Sequence, residues 1–251
     1  MIELPGGGRL VLASASPRRS ELLRSVGLEF DVDPADIDES VHAGEAPAAY
    51  VARLSAEKAS VVAGRIVGGA LVVAADTTVD VDGQILEKPI DEADARRMLA
   101  RLSGRTHLVH TGVTVARSFE IGSERTATVV VETAVEFADM TSSRVDWYVG
   151  TGEPFGKAGG YAIQGAGAAL VRRIDGSVTN VIGLPLAETL DLIGWHSRGT
   201  VANDGRRALP WHSPRPSANS FPEVRTHRDS RPSSQREQAN GGLHHEPEAA
   251  G

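Results

Sequence analysis

The sequence predicts an α/β protein built on a mixed sheet flanked by helices. Short apolar runs such as Leu10 to Ala13 and Leu71 to Ala75 have the aliphatic, β-branched composition of buried strands. Segments with apolar residues at helical spacing alternate with them. Val79 to Ile85 reads as a strand pair turning at Asp82-Gly83, so the sheet cannot be a uniform βαβ barrel. Aromatic residues are only 4% of the chain, so the core must come mainly from Val, Leu, Ile and Ala.

The elements follow in order. After the first strand, Ser16 offers an N-cap oxygen and Pro17 suits a first helical turn. Leu22, Leu23 and Val26 give that helix one apolar face, and Gly27 ends it. Phe30 to Asp33 reads as a short strand. Ala48 to Val62 reads as a helix, with Val51, Leu54 and Val61 on one side. Asp91 to Leu102 is a helix with an acidic first turn. Leu108 to Ala116 and Thr126 to Phe137 are long strands, and Ser142 to Val149 and Leu186 to Ile193 are helices.

Composition bounds the function. The net charge of −7 speaks against non-specific nucleic-acid binding, which rests on phosphate neutralisation. Any phosphate chemistry must therefore use a local cluster of Arg and Lys. Cysteine is absent, which excludes disulfides, a thiol nucleophile and thiolate zinc sites. No apolar run approaches the roughly 20 residues that span a bilayer, and no secretory signal is visible at the start. A cytoplasmic protein with no membrane partner is the expectation. Two segments are expected: a folded domain over 1–196 and a disordered tail over 197–251. The tail holds six of the thirteen prolines and only scattered apolar residues.

Five clusters can carry chemistry. Ser14-Ala15-Ser16-Pro17-Arg18-Arg19 sets two hydroxyls and two guanidinium groups at a helix N-terminus, a credible anion cradle. On spacing alone it reads more readily as a capped helix with two solvated arginines. Asp38-Glu39 could hold a divalent ion or simply be a solvated loop. Lys58 sits on the following helix. Val72 to Ala75 runs straight into Asp76-Thr77-Thr78, placing a carboxylate at a strand's end, where open α/β sheets collect ligands. Pro89 holds Lys88 extended, so that its ammonium could reach across a cleft. Gly156 to Gly165 is glycine-rich and carries Gln164, whose carboxamide offers a donor and an acceptor to a base edge. His107 and His110 fit a strand's alternation and carry no assigned role. Asn180 and Gly183-Leu184-Pro185 look structural.

The order and spacing of these clusters resemble the Maf family. The match rests on Ser14 to Arg19, Asp38-Glu39, Glu57-Lys58-Ala59, Ala75-Asp76-Thr77, Glu87-Lys88-Pro89 and Leu102-Ser103-Gly104. It continues with Lys157 to Tyr161, Ile163-Gln164-Gly165 and Gly183-Leu184-Pro185, and covers roughly residues 9–194. The resemblance implies a two-lobed, inosine triphosphatase-like α/β fold with a central cleft, and a homodimer as a frequent assembly. It implies hydrolysis of a nucleoside triphosphate to monophosphate and pyrophosphate, with cleavage between the α and β phosphates.

Arg18, Thr77 and Gln164 resemble the specificity positions of the dTTP/UTP subgroup. The expected roles follow from both readings. Ser14, Ser16, Arg18, Arg19, Lys58 and Lys88 bind the phosphate chain. Glu39 and Asp76 hold Mg²⁺ or Mn²⁺, and Asp76 activates the attacking water. A nucleotide-binding regulator of cell division without turnover would use the same cradle; the intact set of acids argues for hydrolysis.

Overall fold

The computed structural model describes residues 8–118 and 125–197 of the 251-residue chain. The expected disordered tail lies outside them apart from its first residue, Ser197, which ends the last helix. Among the described residues, seven strands form one mixed sheet: β1 (Arg9–Leu12), β2 (Asp31–Val32), β3 (Ala70–Val81), β4 (Gln84–Leu86), β5 (Thr106–Ser118), β6 (Arg125–Phe137) and β7 (Val171–Asp175). The order is β2-β1-β3-β5-β6-β7, with β4 also paired to β3. Strand β1 runs parallel to β2 and β3; the other pairings are antiparallel. Six α-helices of the described residues flank the sheet: α1 (Pro17–Ser25), α2 (Pro47–Ala63), α3 (Glu92–Leu102), α4 (Ser142–Gly150), α5 (Val178–Ile182) and α6 (Leu186–Ser197).

The central strand is longer than the sequence suggests. Asp76-Thr77-Thr78 looks like a strand's end, yet β3 continues through it to Val81. Strand β5 pairs with β3 without interruption from Ala70 to Asp80, and this ladder carries the chain through the polar stretch. Asp82 and Gly83, with φ of 56° and 77°, then make the tight turn into β4.

The other edge of β3 explains the cleft. Strand β1 covers it only from Ala70 to Val73, and β4 only from Val79 to Val81. Residues 74–78 of that edge pair with no strand. Asp76 and Thr77 lie in this gap. The carboxylate therefore reaches the cleft from mid-strand, at a break in edge pairing. It is the parallel strand β1 that delivers its carboxyl end there.

Side chains of β3 alternate between two faces. Val72 and Ala74 pack with Ala59 and Val62 of α2. Leu71, Val73 and Ala75 face the other way, with Leu23 of α1 and Leu192 and Ile193 of α6. Further along the same face, Val79 and Val81 join Leu99 and Leu102 of α3 and Tyr148 of α4. Two lobes thus share one sheet, and Thr77 sits between them.

His107 belongs to the second lobe. Its ring packs edge-on against Phe137 and Tyr161, and Nε2 lies 2.7 Å from Tyr161 Oη. Burial pushes its pKa down from 6.5 to about 4. A depressed folded-state pKa means that the neutral ring's stabilisation is complete above 6.5 and is lost as pH falls toward 4. The expected loss over that window is about 3 kcal/mol, readable as a falling urea midpoint. His107→Phe should flatten the slope; an unchanged slope would remove His107 as its source.

Candidate active site

The site forms where β1 hands the chain to α1. Ala13 N donates to Val73 O at 2.8 Å, the last bond of the strand, and Ser14 to Ser16 then turn into the helix. Ser16 is the N-cap residue, but its hydroxyl makes no capping bond, contrary to the sequence expectation. The first-turn N–H groups of α1 thus have no side-chain partner from Ser16. They border a cleft of about 350 Å³.

The cleft gathers residues from distant parts of the chain. Ser14, Ser16, Arg18, Arg19, Glu39, Lys58, Asp76, Thr77, Lys88 and Gln164 all line it. The Asp38-Glu39 pair divides: Glu39 faces the cleft, while Asp38 is exposed and accepts from Ser40 N at 2.9 Å.

Lys58 is the hub. It is 6% exposed, and its Nζ lies 2.6 Å from Asp76 Oδ1 and 2.6 Å from Glu39 Oε1. Lys88, on the exposed rim, approaches Glu39 Oε2 at 3.2 Å. Burial pushes the Glu39 carboxyl up, but the Lys58 hydrogen bond and the two ammonium charges outweigh it and hold the group below its ordinary value. Glu39 rides on the segment between β2 and α2. That segment is tied down by Tyr50 Oη, which donates to Glu39 O at 2.9 Å, and by Arg53, which pairs with Glu45 at 2.7 Å.

The two arginines differ in their freedom. Arg19 donates Nε to Gly183 O at 2.8 Å, Nη1 to Ser14 Oγ at 3.0 Å and Nη2 to Thr77 Oγ1 at 3.2 Å. It joins β1, β3 and the turn after α5, leaving two of its five N–H donors for a ligand. Burial lowers its pKa, with the Asp76 charge opposing and Arg18 adding. Arg18 is half-buried, and burial lowers its pKa while Glu21 opposes. Its guanidinium has no hydrogen bond to another described residue and is available to an anion.

Ser14 Oγ accepts from both Arg19 Nη1 and Ser16 N. Its two lone pairs are taken, so its proton is directed to an acceptor such as a phosphate oxygen.

Lys157 belongs to the glycine-rich motif, but the sequence reading gave it no role. It lines the cleft, and burial followed by the nearby Arg18 charge lowers its pKa. One signal could have found it. The chain has 26 basic residues but only three lysines, Lys58, Lys88 and Lys157, and all three face this cleft. Gly112 was also missed. It stands opposite Asp76 in the β3–β5 ladder, where a Cβ would lie 2.2 Å from Val51 O of α2.

Five cations and two carboxylates leave the lining strongly positive in a chain of net charge −7. The remaining wall is largely apolar, with Val79, Val109, Tyr161, Ile163 and Val181, and carries the Gln164 carboxamide. One end suits a polyanion and the other a flat organic group with a polar edge. Fold and site together define a phosphate-handling α/β protein whose ligand is nucleotide-like.

Comparison with known sequences narrows this class. Residues 9–195 match the family described as Maf-like protein, and the chain belongs to the Maf family. A dTTP/UTP pyrophosphatase of Anaeromyxobacter sp. (strain Fw109-5) is 53% identical over 209 residues, 82% of this chain and 94% of the relative. One from Myxococcus xanthus is 54% identical over 184 residues, 73% of this chain and 90% of the relative. A solved Mycobacterium abscessus structure, titled nucleoside-triphosphatase / dITP/XTP pyrophosphatase, has a TM-score of 0.35 at 16% identity. It covers 76% of this chain and 94% of that one, a likeness too distant to carry an argument.

Proposed function

We propose that this chain is a nucleoside triphosphate pyrophosphatase. It hydrolyses the α–β anhydride to a monophosphate and pyrophosphate, and prefers dTTP and UTP. The observation that carries the reading is the convergence of Glu39 and Asp76 on one buried ammonium, Lys58, inside a ring of four further cations. Simple anion binding has no use for two carboxylates among phosphate ligands.

The donor set fits a hard divalent cation. Glu39 and Asp76 offer oxygen only and lie close together, both meeting the Lys58 ammonium, so an ion held by the two would sit beside Lys58. Among the described residues, no group of three or more His, Cys, Asp or Glu is arranged to hold a metal ion. Two carboxylates suit Mg²⁺ or Mn²⁺, which fill their coordination with water and substrate phosphates. Such an ion would supply charge neutralisation at the phosphate oxygens.

The chain's own residues do the rest. Arg18, Lys88 and the spare donors of Arg19 hold the phosphates in place and offset charge that builds on the departing pyrophosphate. Ser14 and the α1 N-terminus donate hydrogen bonds to phosphate oxygens. Asp76 takes the proton from the attacking water, and Lys58 keeps that carboxylate oriented. Gln164 and Thr77 meet the base. No helix of the described residues is long and apolar enough to cross a membrane. A nucleoside triphosphate substrate suits a place in the cytoplasm, beside the free nucleotide pool.

The test is a panel of dTTP, UTP, CTP, GTP and ATP with Mg²⁺ or Mn²⁺, the products separated by chromatography. Monophosphate and pyrophosphate should appear fastest from dTTP and UTP. Diphosphate with inorganic phosphate, or tight binding without turnover, would overturn the proposal.

A further inference from the structure

Behind the cleft lies a buried hydrogen-bond chain that the reaction does not use. Thr111 on β5 and Asn180 on α5 are both fully buried. The Asn180 carboxamide donates to Val109 O and to Thr133 Oγ1, each at 3.0 Å, which pins the residue against the sheet. Its backbone carbonyl accepts from Gly183 N at 2.9 Å and from Thr111 Oγ1 at 3.0 Å. Thr111 Oγ1 in turn lies 2.9 Å from Thr77 Oγ1 at the cleft wall.

The chain has a fixed polarity. A carbonyl oxygen can only accept, so the Thr111 proton points to Asn180 O. Thr111 Oγ1 is then an acceptor, and the Thr77 proton points to Thr111. Among the described residues the other acceptor near that proton, Gly183 O, is 3.5 Å away, beyond ordinary O–H···O reach, and already accepts from Arg19 Nε, so Thr111 alone holds it. Arg19 Nη2 fills one Thr77 lone pair. What Thr77 offers the cleft is a single acceptor site. Phosphate oxygens cannot use it, since they accept as well.

We infer that the buried Asn180–Thr111–Thr77 chain fixes Thr77 as an acceptor toward the cleft, making Thr111 a positioning residue that selects bases with a ring N–H. Uracil and thymine carry an N–H at ring position 3; cytosine carries an unprotonated acceptor there. Gln164 alone cannot make this choice. No hydrogen bond from another described residue orients its exposed carboxamide, and a carboxamide serves either base by turning over. A free hydroxyl would also adapt; a hydroxyl whose proton is committed elsewhere does not. The inference rests on the pyrophosphatase reading and on the base lying against Thr77.

The experiment compares kcat/KM for UTP and CTP in wild type, Thr111→Val and Thr111→Ser. Thr111→Val frees the Thr77 proton to face the ligand, so the preference for UTP should fall about tenfold, the worth of one hydrogen bond. Thr111→Ser keeps the hydroxyl and should keep the wild-type ratio. A merely structural role would slow both substrates alike and leave the ratio unmoved, which would overturn the inference. Wild-type enzyme with N3-methyl-UTP gives a reading that needs no variant. Turnover should fall by about tenfold or more against UTP, and equal rates would refute the assignment. A chain that hydrolyses no pyrimidine triphosphate fails the reading of the site itself. UTP hydrolysis with unaltered selectivity fails only the polarity of Thr77.

Discussion

Replacing Asp76 with Asn is expected to lower turnover by about 100-fold or more while leaving the fold intact. The change keeps the side chain's shape and one carbonyl oxygen, so Lys58 retains an acceptor at the Oδ1 position, now 2.6 Å away. Lys58 also keeps Glu39 at 2.6 Å, so no buried ammonium is stranded. What disappears is a charged base beside the phosphates. Single-turnover release of pyrophosphate, read beside a thermal melt, separates chemistry from stability. Asp80 supplies the control. It lies four residues further along the same strand, caps the β3–β4 turn by accepting from Gly83 N at 2.7 Å, and does not line the cleft. Asp80→Asn should leave the chemical step unaltered. Near wild-type turnover of the Asp76→Asn enzyme would remove this carboxylate from the proton transfer.

Gly112→Val should cost roughly 4 kcal/mol of stability and most of the activity together. A Cβ here would meet Val51 O at 2.2 Å and Val51 C at 2.5 Å. Both are backbone atoms of α2, so no rotamer change relieves the contact, and the helix must shift. Val51 lies two turns from Lys58 on the same helix face. Pushing α2 outward therefore draws Lys58 away from Asp76, the residue paired with Gly112 across the ladder. Urea unfolding and steady-state rates give the two readings. Wild-type stability in Gly112→Val would show that α2 does not press on the sheet as closely as described.

Much of this site was legible along the chain because its motifs are local. Ser14 to Arg19 announces a strand-to-helix turn by its Ser-Pro and its arginines. Lys88-Pro89 and Gly156 to Gly165 announce loops by their backbone chemistry. The position of Asp76 was harder to read. An apolar run that stops at Asp-Thr-Thr looks finished, and only the pairing with β5, some 30 residues on, keeps it a strand. Gly112 gives no local sign, since its reason is the backbone of a helix 60 residues earlier. Strand β7 is mostly exposed or half-buried, and α5 is five residues long and rich in β-branched side chains, so neither has a periodic signal. Asn180 looked structural, and it is buried as such, but its partners Val109 and Thr133 become neighbours only when the sheet closes.

The confinement of lysine to the cleft has a practical consequence. Every ε-amine of the chain belongs to one cavity, two of them partly or largely accessible and one enclosed. The α-amine apart, acylating or reductively methylating reagents would therefore mark the cleft alone, and a bound triphosphate should shield it. Amine-coupled immobilisation would likewise tether the protein through the mouth it uses, a reason to attach it by other chemistry.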